Sequence, residues 1–300
     1  MEEILEYVRP LNALEMGAFV QDRHDTYPHI TPTGSELSGK SVFITGASRG
    51  IGRETAVRFA KAGCSKIALA ARSSLADVVK EIETTAQESQ LDPPQVLALQ
   101  VDVTSEESVR EAAQAVETSF GGKLDILINN AGYLPEYKPV GESDPTEWWK
   151  AWEVNVKGTF LCCHFLLPLV LRSDTKILIN LSSIGAITLA YGGSGYQASR
   201  FANCRLTEFL VRDYEDQGLV AVSLHPGGIA TDMQDNFPEL LRPTLTDKVA
   251  LPADTMVWLA KERREWLNGR LVYSSWDMKE LEEKKDEIVS RDLFKFRVTL

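Results

Sequence analysis

From Lys40 onward, short apolar runs alternate with longer stretches whose apolar residues recur at helical spacing. The runs are SVFIT (41–45), KIALA (66–70), VLALQV (96–101), LDILIN (124–129), KILINL (176–181), LVAVSL (219–224) and RLVYS (270–274). A continuous apolar run of this length fits a strand buried on both faces, and strands that alternate with helices read as parallel neighbours joined by crossovers. The pattern predicts one α/β domain over 40–276, with a doubly wound, seven-stranded parallel sheet and helices on both faces. Residues 1–39 carry Pro10, Pro28, Pro32 and Gly34 among polar positions and read as a surface arm, with a short helix near Glu2 to Val8. Residues 277–300 read as a charged helix, MKELEEKKDEIVSRD, followed by an extended strand in LFKFRVTL. The stretch 233–252 has Pro238 and Pro243 and no strong period, and it reads as a substrate lid.

Composition narrows the class. With 44% hydrophobic residues in 300, the chain can bury a full core. A net charge of -11 and a pI near 5.0 argue against nucleic acid or an anionic membrane surface as a main partner. Cys64, Cys162, Cys163 and Cys204 sit in apolar or helical segments without a C-x-x-C pair, so buried free thiols are expected; the four histidines form no ligand spacing, and no metal is expected. The chain opens Met-Glu-Glu, with no apolar leader and no run of about 20 apolar residues, so the expected setting is cytoplasmic and no membrane is expected.

The chemistry begins at Thr45-Gly-Ala-Ser-Arg-Gly-Ile-Gly52, placed between the first strand and the first helix. Gly46, Gly50 and Gly52 allow a tight turn and close approach to a pyrophosphate, and Ser48, Arg49 and Ile51 share the loop. An acidic residue at the end of the second strand would bind a ribose 2′-OH, but this strand ends Ala70-Ala71-Arg72-Ser73. Arg72 and Arg49 can instead meet a 2′-phosphate, which favours NADP(H) over NAD(H). In Tyr196-Gln-Ala-Ser-Arg200 a phenol and a cation lie one helical turn apart, an arrangement suited to acid–base chemistry.

These motifs, in this order, resemble the short-chain dehydrogenase/reductase family from about Lys40 to Trp276. The resemblance implies a single-domain Rossmann fold and a catalytic tetrad at Asn155, Ser183, Tyr196 and the position of Arg200, where the family has lysine. It implies that Asn155 breaks the regularity of its helix and binds a relay water. Ser183, 13 residues before Tyr196, would bond the substrate carbonyl while Ser182 points elsewhere. Asp102 would bind the adenine and Val103 cover it, and Asn129-Asn-Ala131-Gly132 would line the cleft. Pro226, Gly227, Ile229 and Thr231 would serve the nicotinamide and pyrophosphate, with His225 as packing. Tyr196 and Arg200 would also touch the cofactor ribose. Trp148, Trp149 and Trp152 read as core or subunit-interface anchors. The implied function is NADP(H)-dependent interconversion of a carbonyl and an alcohol on a small or medium molecule, in a homodimer or homotetramer similar to fungal members associated with secondary metabolism. The rival readings are a non-redox isomerase, dehydratase or cyclase on the same scaffold, and a non-catalytic nucleotide-sensing or scaffolding protein.

Overall fold

The computed structural model describes residues 19–298 and the backbone of Val8–Pro10. All seven predicted strands form, at β2 (Ser41–Thr45), β3 (Lys66–Ala71), β4 (Gln95–Gln100), β5 (Ile126–Asn129), β6 (Ile177–Leu181), β8 (Val220–His225) and β9 (Leu271–Tyr273). They pair in parallel in the order β4-β3-β2-β5-β6-β8-β9. Helices α1 (Gly50–Lys61), α2 (Ala76–Glu88) and α7 (Ala250–Lys261) pack on one side, and α3 (Glu106–Phe120), α5 (Thr159–Leu171) and α6 (Ser194–Tyr214) on the other. The fold is Rossmann-like: strand order reverses between β2 and β5, so their connections leave to opposite faces and open a crevice at the strands' carboxyl ends.

Helix α4 (Pro145–Trp152) runs through a π-helical turn at Glu153–Gly158 into α5, so helical regularity breaks around Asn155, as expected. The continuous helix spans 27 residues with a mean hydropathy of 1.6 in its most apolar window, long and apolar enough to cross a membrane by length and composition. Polar residues interrupt the run, so no unbroken apolar segment of that length stands out in the sequence. In the fold 56% of that window is buried inside the molecule, where its apolar residues build the core.

The ends of the chain differ most from expectation. The helix expected near Glu2 to Val8 lies outside the described residues except at Val8, which opens strand β1 (Val8–Pro10), antiparallel to β7 (Thr188–Ala190). The arm from residue 19 is more than a surface wrap: Val20, Ile30 and Leu37 are buried in the main core. The charged helix divides into α8 (Met278–Glu283) and α9 (Lys285–Ser290). No strand follows in 293–298, because Asp292 and Phe294 take positive φ and turn the chain so that Phe294 packs on Trp276 and Phe19.

One buried carboxylate joins arm to domain. Asp254 on α7 is 0% exposed, takes the Thr26 hydroxyl and lies 3.4 Å from the Arg58 guanidinium; burial pushes its pKa up to about 6. A group that holds its proton more tightly when folded adds stability below its unfolded pKa, lost as pH rises through its folded one. Asp254→Asn is therefore expected to raise Tm against wild type at pH 8 and to lose that advantage near pH 4. Calorimetry at the two pH values checks this, and an equal shift at both would contradict it.

Candidate active site

The crevice above β2 and β5 is a cleft of about 990 Å³. Its floor is the glycine loop, and the loop leads into a helix end left open. The α1 N-terminus has no side-chain cap and no acidic residue in its first turn, whereas α3 and α4 are capped by Ser105 and Asp144. Open N–H groups and the positive end of the helix dipole suit a phosphate. Gly46 and Gly52 make the turn possible: a Cβ on Gly46 (φ +66°) would stand 2.9 Å from Asn130 Nδ2, and one on Gly52 would overlap the Gly46 carbonyl. This cradle fits a dinucleotide pyrophosphate.

One end of the cleft lies at the carboxyl ends of β3 and β4. Arg72 is exposed at the rim, and Ser73 Oγ donates to Ser48 Oγ (2.9 Å), joining the end of β3 to the glycine loop. Arg49 also lies on the rim, but its guanidinium pairs with Asp232 (2.8 Å), both side chains being largely exposed (74% and 66%). Asp102 and Val103 line the same end; one Asp102 oxygen is taken by the Thr104 N–H and hydroxyl (2.9 and 2.8 Å). Ser48, Ile51, Ala131, Gly132, Pro226 and Thr231 also line the cleft, while Asn129, Gly227 and Ile229 are not among its lining residues. Asn129 is buried and donates to Asn180 Oδ1 (2.8 Å), tying β5 to β6.

The tetrad positions converge around the start of α6. Tyr196 is half-buried in the cleft, with the Arg200 guanidinium carbon 5.1 Å from its ring centroid. Arg200 is 3% exposed: Nη1 donates to the Leu181 carbonyl (2.9 Å), Nη2 lies where a Cβ on Gly132 would be, and Nε has no hydrogen-bond partner among the described residues. The cation stacks on the phenol face instead of extending past it. Ser183 caps the short turn Ile184–Ala186, its Oγ accepting from Gly185 N (3.0 Å); Ser183 and Asn155 are not among the residues that line the cleft, whereas Ser182 is. Ser182 points elsewhere, its hydroxyl on the Arg200 carbonyl and Cys204 Sγ. The Asn155 side chain is engaged at Tyr133 N, Tyr133 O and Ser199 Oγ (2.8, 2.9 and 2.9 Å), and Ser199 Oγ in turn donates to the Tyr196 carbonyl (2.7 Å). His225 is buried, its ring edge-on to Tyr273, and desolvation pushes it down to about 3, so it is neutral packing.

Several working residues gave little sign of themselves in the sequence. Thr45 Oγ1 accepts from the N–H groups of Asn130 and Ala131 (both 2.9 Å) and holds the two strand ends together. Tyr133 bonds Glu147 under the Lys150 ammonium, which lies 4.3 Å from the phenol centroid at the cleft rim. Trp148 Nε1 donates to Ser194 Oγ (3.0 Å), and its indole covers Gly195, so it braces the turn that carries Tyr196. Asn236 Nδ2 donates to the Leu134 carbonyl (2.8 Å) and Phe237 meets Tyr137 edge-on, so the stretch expected as a lid is docked across the cleft. Among the described residues no cluster of His, Cys, Asp or Glu could hold a metal ion.

A family model described as short chain dehydrogenase matches residues 40–240. The chain belongs to the short-chain dehydrogenases. It is 45% identical over 277 residues to the short chain dehydrogenase mpl6 of Monascus purpureus, covering 92% of this chain and 94% of that one. It is 40% identical over 277 residues to pigC of Monascus ruber (91% of each chain), and 37% identical over 283 to andI of Emericella variicolor (94% and 96%). These relatives are fungal, in line with the resemblance. Among solved structures it is similar to levodione reductase (TM-score 0.71, 26% identity, 79% of this chain and 96% of that one). A short chain dehydrogenase from Pseudomonas syringae is similar to the same degree (TM-score 0.70, 29% identity, 80% and 96%).

Enzymes of this family are oxidoreductases that use nicotinamide cofactors and act on small molecules. Within this short-chain dehydrogenase, Arg200 tests whether a planar cation serves where the family has lysine. A positive charge about 5 Å from a developing phenolate oxygen is worth about 3 kcal/mol at an effective dielectric near 20. Arg200→Met is thus expected to lower kcat about a hundredfold, and Arg200→Lys to change it little. Single-turnover rates of the three proteins across pH check this; a methionine variant with an unchanged rate would remove the cation from the chemistry.

Proposed function

We propose that this enzyme interconverts a ketone or aldehyde and an alcohol on a small or medium organic molecule, with NADP(H) as cofactor. The observation that carries the reading is the meeting of Tyr196, with a buried cation on its ring, and the open N-terminus of α1 in one cleft. When bound, the nicotinamide supplies the hydride in reduction and accepts it in oxidation.

Tyr196 gives its proton to the carbonyl oxygen in reduction and takes one from the alcohol in oxidation, and Arg200 offsets the charge left on the phenol. Ser183 Oγ accepts from Gly185 N, and a hydroxyl so used keeps its proton to donate to the substrate oxygen. Asn155 has its amide engaged, so its part in a proton relay falls to the carbonyl in the π turn, which takes the Thr159 hydroxyl (2.8 Å) and has a second lone pair for a water.

Support for NADP(H) over NAD(H) comes from the end of β3, where Arg72 is exposed at the rim and Arg49 stands across the loop. The exposed Arg49–Asp232 pair is worth about 0–1 kcal/mol, less than the ~1.5–3 kcal/mol of a charge-assisted bond to a 2′-phosphate, so Arg49 can change partner. Trp149, Phe160, Phe201 and Phe209 are exposed on α4, α5 and α6, and these faces support a homodimer or homotetramer. Four buried, unbridged thiols, Cys64 and Cys163 pushed up to about 12 by burial, fit a reducing compartment such as the cytoplasm.

Tyr196→Phe is expected to lose nearly all turnover while binding NADPH as wild type does, read by fluorescence titration beside a carbonyl-reduction assay; retained turnover would move the chemistry elsewhere. Wild type is expected to bind NADPH more tightly than NADH, and Arg72→Gln to weaken NADPH about tenfold or more without affecting NADH. Equal dissociation constants for the two cofactors in wild type would reject the NADP(H) assignment.

A further inference from the structure

The turn after β8, His225 to Ile229, is keyed to one carboxylate that the family motif does not include. Asp247, near the end of the stretch read as a lid and just before α7, accepts from Gly228 N through Oδ2 (2.7 Å). Its own N–H donates to the Gly228 carbonyl (2.9 Å), and it forms an isolated parallel bridge with Ile229. Gly227, at φ +93°, has no room for a Cβ because the Asp247 carboxylate fills that place. The orientation of the Gly227–Gly228 peptide therefore follows the position of Asp247.

What holds Asp247 comes from the far end of the chain. Its second oxygen, Oδ1, lies 2.6 Å from His24 Nδ1, and the Lys248 N–H donates to the His24 carbonyl (2.9 Å). An ionised carboxylate only accepts, so the imidazole proton is on Nδ1. The Asp247 side chain is 8% exposed and that of His24 67%, so the pair closes the turn from the solvent side. His24 is itself fixed by its neighbours: Arg23 N donates to the Ser275 carbonyl (2.6 Å), Arg23 pairs with Asp277 (2.6 Å), and Asp22 bridges to Trp276. A carboxylate held at both oxygens has one rotamer, whereas one held only by Gly228 can pivot and carry the turn with it.

We infer that His24 and Asp247 are positioning residues for the Gly227–Ile229 turn, which makes the N-terminal arm a working part of the nicotinamide end of the site. The inference rests on the reading that this turn backs the nicotinamide. Its effect is confined to that end, since the adenosine and pyrophosphate contacts lie on the glycine loop and on β3 and β4.

The test compares two ligands by calorimetry: NADPH, and 2′-phospho-ADP-ribose, which has no nicotinamide. His24→Leu is expected to weaken NADPH about tenfold while leaving 2′-phospho-ADP-ribose and Tm near wild-type values. His24→Asn, whose Nδ2 reaches as far as the imidazole Nδ1, is expected to restore NADPH affinity to within about twofold. A leucine variant that binds both ligands as wild type does would overturn the inference. So would equal weakening of both ligands with a fall in Tm, because the arm would then be only structural. Wild-type protein that binds neither ligand would instead reject the cofactor reading, and this inference with it.

Discussion

The buried Thr45 hydroxyl is the point on which the site hangs, because it holds the ends of two parallel strands whose chains then part. Thr45 Oγ1 takes the N–H groups of Asn130 and Ala131, and Asn130 Nδ2 returns bonds to the carbonyls of Thr45 and Gly46 (2.8 and 3.2 Å). With those ends locked, the glycine loop must leave to one face and the Ala131–Gly132 loop to the other. The crevice between them is a consequence of connectivity, and the open end of α1 points into it.

Helix α6, which carries Tyr196 and Arg200, is fastened to that frame by small and polar residues. Ser199 on α6 links Asn155 to the Tyr196 carbonyl, Ser182 takes the Arg200 carbonyl to β6, and Gln197 holds β7 through Ala190 N (2.9 Å). Arg200 brings a planar cation into this buried space. A guanidinium is less strongly hydrated than an ammonium and stacks on aromatic faces, which makes it the cation easier to bury here. Its position still depends on Gly132, whose missing side chain is the space Nη2 occupies. The cation serves two needs at once, closing the end of β6 through the Leu181 carbonyl and covering the Tyr196 ring.

Arm and tail pack on the side of the sheet that carries α1, α2 and α7, where Val20, Ile30, Leu37, Trp276, Met278 and Ile288 share one core. Tyr27 accepts from Met278 N (2.6 Å), Gln21 N donates to Glu280 (2.9 Å), His29 meets Glu282 (3.1 Å), and Phe19 packs edge-on against Phe294 (5.1 Å). Trp276 is fully buried between the two segments. This lacing fixes the residues flanking His24, so the two ends of the chain together bear on one side of the site.

The strands, their parallel direction, the glycine turn and the nearness of Tyr196 to Arg200 were legible in the sequence because each has a local signature. Those signatures are a short apolar run, a glycine spacing at a strand-to-helix junction, and a tyrosine and cation one turn apart. The family resemblance named Asn155, Ser183 and Tyr196, which stand in the π turn, at the cap of Ile184–Ala186 and on α6. The packing of Arg200 on Gly132, the pairing of Arg49 with Asp232, the buried Asp254 and the grip of His24 on Asp247 were not legible. Each joins residues from separate elements, 68 apart for Gly132 and Arg200 and 223 apart for His24 and Asp247. The tail was misread for a related reason: the alternation in LFKFRVTL is the local pattern of a strand, yet the need to bury Phe294 against Trp276 turns the backbone at Asp292 and Phe294. Local periodicity determines which segments become strands and helices, because backbone hydrogen bonding and the burial of one face are settled within a few residues. Which side chains then meet across the crevice is decided only when the sheet closes and brings distant segments within hydrogen-bonding reach.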